Sequence, residues 1–99
     1  MPAHAHSAEF ADRAALFCAK VRQAYDEQGL TQLELVERTS ISQGYLKLLL
    51  NKRGSHRDRN GNYKPANPTL DVIIKLADAL DLDIAYLVDP DRPVEQKVR

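Results

Sequence analysis

Cys18 is the single cysteine in a chain of 99 residues. It cannot support an internal disulfide framework, and cysteine this scarce fits a reducing, cytoplasmic setting. Metal chemistry is poorly provided for as well. The histidines His4, His6 and His56 show no ligand spacing, with each other or with Cys18, so no metal is expected. No apolar run approaches the roughly 18 residues that a membrane span needs. The opening MPAHAHSAEF has neither a basic n-region nor an apolar h-region, so no secretory signal and no membrane partner are expected. No Ser/His/Asp set, glycine-rich phosphate loop or paired-carboxylate motif stands out, so no enzyme, cofactor or small-molecule ligand is expected. No internal repeat occurs.

What remains has the make-up of an ordinary globular chain, 43% hydrophobic and 28% charged, and its length suits one domain. The formal net charge is zero, which taken alone argues against a polyanionic partner. Its distribution argues otherwise. Between Ser40 and Pro68 stand Lys47, Lys52, Arg53, Arg57, Arg59 and Lys64 against the single acid Asp58, a local charge of +5, and the rest of the chain carries −5. A neutral total can thus hold one basic face.

Hydrophobic spacing predicts an all-α fold of five helices. Phe10, Ala14, Phe17, Val21 and Ala24/Tyr25 recur at steps of three and four, a helical stripe over 8–28 that Gly29 ends as a C′ glycine. Cys18 lies beside the stripe and reads as a small core residue. Thr31 and Glu34 form a capping box for a second helix that ends near Thr39 and buries Leu35, Val36 and Leu33. A third helix runs to about Asn51. Its start is either a Ser40/Gln43 capping box or Ser42 as a simple N-cap, and Tyr45, Leu46, Leu49 and Leu50 form its apolar side. The connection of about three residues is the length found in a helix-turn-helix. Thr69 caps a fourth helix with the stripe Leu70, Ile73, Ile74, Ala77 and Leu80, and Asp83 caps a short fifth from Ile84 to Val88. The domain is expected to span 8–89, between a flexible tail at 1–7 and a charged tail at 90–99.

Within it, 53–68 (RGSHRDRNGNYKPANP) has no apolar periodicity. Asn60-Gly61 is a tight-turn signal that could pair 56–59 with 62–65 as a small hairpin. Two readings stay open. The insert is a wing whose Arg53, Arg57, Arg59 and Lys64 contact phosphates, or it is a tolerated extension, since a longer loop costs little to close.

The stretches GLTQLELVERTSISQGYLKLLLN (29–51) and NPTLDVIIKLADALDLDIAYLV (67–88) resemble the lambda-repressor-like helix-turn-helix family of phage and bacterial regulators. The Gly-Leu-Thr-Gln opening, the Ser-x-x-Tyr-Leu start of the third helix and the Asn-Pro-Thr-Leu exit occur together at compatible spacings. The resemblance excludes the loop and both tails. It implies a compact five-helix domain, bacterial or phage-encoded, that regulates transcription as a repressor, with its third helix in the major groove of double-stranded DNA. Gln32 then grips a phosphate from the start of the second helix. On the third helix, Leu46 and Leu49 face the core while Gln43, Gly44, Lys47, Leu48 and Asn51 share the outer face. Gln43 can pair with adenine, Lys47 can reach guanine or phosphate, and Leu48 offers a methyl-rich surface to thymine. Gly44 lets the backbones approach. Ser42 caps at the DNA-facing end, Tyr45 supports a phosphate contact, and Lys52 joins the basic loop. A homodimer on a two-fold operator follows, with Tyr86, Leu87, Val88 and the C-terminal tail as its surface.

The chain departs from the family pattern at five positions. Val36 stands where a small residue is usual, Thr39 where a large apolar one is, and Ser40 where glycine often makes the turn. Leu48 and Leu50 are unusually apolar, which leaves an alternative: a protein-binding adaptor or antitoxin-like module that uses those leucines.

Overall fold

The computed structural model describes residues 8–51, 55–57, 63–65 and 67–95. Among them lie α1 (Ala8–Glu27), α2 (Gln32–Thr39), α3 (Gln43–Leu50), β1 (Ser55–Arg57), β2 (Tyr63–Pro65), α4 (Leu70–Leu80) and α5 (Ile84–Val88). None of the helices is long and apolar enough to cross a membrane.

Helix α1 is the spine. Its stripe buries Ala14, Phe17, Val21 and Ala24, with Cys18 wholly enclosed beside it. Burial pushes the Cys18 thiol up to about 11, with Arg22 opposing weakly, so the thiol stays protonated and inert near neutral pH. The helix stops in a Schellman turn. Gly29 takes φ +64, the Leu30 amide donates to the Tyr25 carbonyl and the Gly29 amide to that of Asp26. Helices α3, α4 and α5 all pack on α1, and α2 lies across α3 and α4. The core between them is Leu35, Ile41, Leu46, Leu49, Leu76, Leu80 and Leu87 together with the α1 stripe.

Two apolar assignments need correction. Leu33 is 63% exposed, and the core-facing side of α2 is carried by Leu35 with Val36 half-buried. On α4 the buried positions are Leu76, Ala77 and Leu80, with Ile73 packed against them, while Leu70 and Ile74 are exposed. The true stripe is 73, 76, 77, 80. Because Leu70 and Ile74 are also apolar, the helix offers two overlapping stripes, and spacing alone cannot choose between them.

The turn between α2 and α3 resolves the two cap readings. Ser40 is the C-cap of α2, left-handed at φ 60, with its amide donating to the Val36 carbonyl. Ser42 is the N-cap of α3, so no Ser40/Gln43 capping box forms. A left-handed serine costs roughly 1 kcal/mol that glycine would avoid. Thr39 compensates locally: its buried hydroxyl donates to the Leu35 carbonyl at 2.7 Å and accepts from the Ile41 amide at 3.1 Å. It fills an apolar position without leaving a polar atom unpaired.

The basic insert does hold a hairpin, in a register one residue from the expected one. Ser55 pairs with Pro65, His56 with Lys64 and Arg57 with Tyr63. The Asn60-Gly61 turn would instead have set His56 against Pro65. A ribbon that is polar on both faces specifies its register weakly, and here the connection is five residues long instead of two. Asn60 and Gly61 themselves lie outside the described residues. Backbone strand β2 lies beside α1 and β1 beside α3.

Segment 89–95 does not hang free of the domain. The Tyr86 hydroxyl accepts from the Glu95 amide at 2.8 Å, and the Arg92 guanidinium lies 5.0 Å from the Tyr86 ring centre.

Candidate nucleic-acid interface

The consecutive helices α2 and α3 begin in the same way, with a side-chain cap followed by glutamine. At α2 the Thr31 hydroxyl accepts from the Glu34 amide at 3.1 Å, and the Glu34 carboxylate accepts from the Thr31 amide at 3.0 Å. That backbone hydrogen bond, then the one to the Thr31 side chain, holds the Glu34 carboxyl below its ordinary range. At α3 the Ser42 hydroxyl accepts from the Tyr45 amide at 3.3 Å, which leaves its own proton able to donate outward.

Each cap puts a glutamine at the first helical position, and the fold brings the two together. Gln43 Nε2 donates to Gln32 Oε1 at 3.3 Å, across eleven residues of chain, at an exposed edge. This bond uses one of the four hydrogen-bonding positions on each amide. Gln43 keeps one N–H donor and its oxygen, and Gln32 keeps both of its N–H donors. The pair is therefore a fixed array of donors and an acceptor at two helix N-termini, where amides and dipole also favour an anion. Spacing gave no sign of this contact, since it exists only once α2 and α3 cross.

The other predicted contact residues fall into three groups. Gly44, Lys47 and Asn51 are exposed on α3 along with Gln43, and Ser42 is exposed at its cap. Tyr45 and Leu48 are half-buried and pack against the core. Burial raises the Tyr45 phenol, with a smaller push from Cys18. Leu48 is thus not a fully outward side chain. It lies on the edge of the apolar face because Leu46, Leu49 and Leu50 widen that face on either side. Leu50 packs against the core as well, so the two leucines form no exposed pair. In the third group, Arg57 and Lys64 belong to the backbone strands β1 and β2, while Lys52, Arg53 and Arg59 lie outside the described residues.

Gly44 is informative for what surrounds it. A Cβ built there meets nothing within 4 Å, and no positive φ requires glycine. Nothing within the described part of the chain explains a glycine in the first turn of a helix, where it costs roughly 0.5–1 kcal/mol against alanine.

Of the residues expected at a dimer surface, Tyr86 and Leu87 are buried within the chain, at 6% and 1% exposure. Their rings and methyls complete the core against α1, because a five-residue helix cannot hold its place without them. Val88 stays exposed, as does Ile84 one turn before it. A cleft of ≈ 310 Å³, lined in part by Lys20, Tyr86 and Arg92, contains none of the predicted DNA-contact residues.

No family model, curated protein or solved structure matches the chain.

Proposed function

We propose that the chain is a sequence-specific double-stranded-DNA-binding transcriptional regulator, a repressor of the lambda-repressor-like kind, with α2 and α3 as its helix-turn-helix. The observation that carries this reading is the Gln32–Gln43 hydrogen bond at the exposed start of α3. It pre-orients an amide of the shape that reads adenine beside a second amide with two donors to spare for phosphate. The exposed face of Gln43, Gly44, Lys47 and Asn51, and the basic residues of the hairpin that follows, suit a polyanion. With Leu48 and Leu50 turned into packing, an adaptor that uses them loses its main support.

In this reading α3 enters the major groove. A site so small makes few base contacts, so two copies bind a two-fold operator with half-sites about 34 Å apart. Ile84 and Val88, one turn apart on α5, are the residues proposed to meet across the two-fold axis. Random-site selection followed by sequencing tests the whole reading. The expected result is a palindromic motif whose binding weakens steeply as salt is raised. Failure to enrich any motif rejects sequence-specific recognition.

Two variants separate parts of the interface. Gly44→Ala is expected to stabilise the free protein by about 0.5–1 kcal/mol through helix propensity while weakening DNA binding, because the added methyl stands where backbone would approach backbone. A thermal melt and a binding titration read the two signs, and unchanged affinity removes the close-approach role. Replacing Arg57 and Arg59 together by alanine is expected to weaken binding on every sequence and to reduce the salt slope by about 2, near 0.9 per lost phosphate contact. An identical slope would make the hairpin a tolerated insertion.

A further inference from the structure

Helix α3 ends at Leu50, and at its C-cap Asn51 the backbone turns extended at φ −63 and ψ 131. The Asn51 carbonyl faces α1, and Arg22 of that helix meets it: Arg22 Nη1 donates to the Asn51 oxygen at 3.2 Å. Last-turn carbonyls of a helix have no partner within it, and the negative end of the dipole favours a cation. Lys47 is the basic residue that α3 itself has in its last turn, and it is exposed on the outer face. Arg22, half-buried on the neighbouring α1, supplies the charge at an exposed contact.

The position of this contact matters more than its strength. Asn51 is the C-cap of the proposed recognition helix and the last described residue before β1 of the basic hairpin. The hairpin backbone is then held on two sides, β2 along α1 and β1 along α3. Arg22 stands on the same helix that receives β2, and it grips the chain just where the path to the hairpin begins. Guanidinium suits the task, because a planar fork of donors fixes direction better than a rotating ammonium.

We propose that Arg22 is a positioning residue: by holding the Asn51 carbonyl it sets the direction in which the hairpin leaves α3, and so aims the hairpin's basic residues along the same DNA backbone that α3 meets. The second half of this statement rests on the DNA-binding reading, and the first half stands without it.

The test uses the full chain in three forms: wild type, Arg22→Met, which keeps the stem and removes charge and donors, and Arg22→Lys, which restores a donor. In the free protein, backbone residual dipolar couplings of 55–57 and 63–65 report hairpin direction relative to the helices. Arg22→Met is expected to change these couplings while those of α4 hold, and Arg22→Lys to restore them in part. Unchanged hairpin couplings in Arg22→Met overturn the proposal, and a uniform change across α4 as well overturns it in favour of a general stabilising role. Binding to sonicated mixed-sequence duplex DNA is then titrated against salt. Arg22→Met is expected to weaken binding about fivefold to tenfold and to flatten the salt slope in the otherwise native chain, but to add nothing once Arg57 and Arg59 are alanine. An equal loss in both backgrounds means that Arg22 touches phosphate itself, which overturns the positioning role. Altered couplings in a protein whose wild type binds no duplex uphold the tie and reject the DNA reading.

Discussion

Lys20→Ala will lower the melting midpoint by about 15 °C, the equivalent of roughly 3 kcal/mol in a domain of this size. A lysine on a helix surface would shift stability by no more than about 0.5 kcal/mol. Lys20 is not on the surface: it is 1% exposed and its ammonium donates to the carbonyls of Tyr86 and, at 3.0 Å, Asp89. The same nitrogen lies 4.5 Å from the centre of the Tyr86 ring. Helix α5 has five residues and no basic residue in its last turn, so its terminal carbonyls find their donor on α1, 66 positions earlier for Tyr86. Losing it strands the Tyr86 carbonyl, leaves that of Asp89 with only the Arg92 amide at 3.4 Å, removes a charge-assisted site worth about 1.5–3 kcal/mol, and opens a cavity where the stem lay. Tyr86 also accepts from the Glu95 amide, so the loss spreads to segment 89–95.

Lys20→Met separates the two contributions. It keeps the stem volume and is expected to cost about half as much, since only the donors are gone. The wild type should also show a pH signature that the Met variant lacks. Burial pushes the Lys20 ammonium below its ordinary value of 10.5; Asp89 pulls it back, while Arg92 adds to the fall and Glu95 opposes it. With the folded value below the unfolded one, the unfolded chain holds this proton over the window between them. Stability from this group therefore rises as pH climbs through the folded value toward 10.5. Calorimetry of wild type and both variants decides the matter. A midpoint for Lys20→Ala within about 3 °C of the wild type would show that the buried ammonium carries little of the fold.

Lys20 also marks the limit of what the sequence discloses. Local signals read well: Thr31, Thr69 and Asp83 are N-caps and Gly29 ends α1, because caps and left-handed turns depend on a few neighbouring residues. The α1 stripe and the inward Leu46 and Leu49 follow from periodicity. What failed depends on tertiary contact. Lys20 lies three residues after Phe17 and four before Ala24, on the edge of the stripe, and that place was its one visible signal. Ser40 and Ser42 are equally good caps in isolation, and the left-handed turn needed to bring α3 back onto α2 decides between them. Leu76 falls outside the α4 stripe that begins at Leu70, because spacing does not state which side of α4 meets the core. The exposed face of α3 was legible residue by residue, yet the Gln32–Gln43 bond that organises it was not, because it joins two helices whose crossing no local pattern states.

That bond sets up the sharpest expectation at the proposed interface. Gln43→Ala will reduce discrimination at one operator position by about 5- to 150-fold, or 1–3 kcal/mol, while leaving other positions as they were. The geometry of the amide accounts for the selectivity. With one Nε2 proton committed to Gln32, Gln43 retains one N–H and its carbonyl oxygen, which face a base together when the committed proton is the one anti to that oxygen. Adenine presents the complement in the major groove: N7 accepts and the N6 amino group donates. Guanine offers two acceptors there, so the Gln43 oxygen would face another oxygen and one bond would turn repulsive. The Gln43 side chain is exposed, so the variant should melt within about 0.5 kcal/mol of the wild type, and a binding change cannot be charged to unfolding. Gln32→Ala is the companion. It should weaken binding on all sequences by removing phosphate donors, and it should also blunt the preference at the Gln43 position by freeing that amide to rotate. The two losses are therefore expected to be non-additive in a double-mutant cycle, with a coupling of about 0.5–1 kcal/mol or more. Binding selections on wild type, both single variants and the double variant read every position together. Unaltered preference at all positions in Gln43→Ala would remove the amide from base recognition, and strict additivity with Gln32→Ala would show that the two glutamines act without each other.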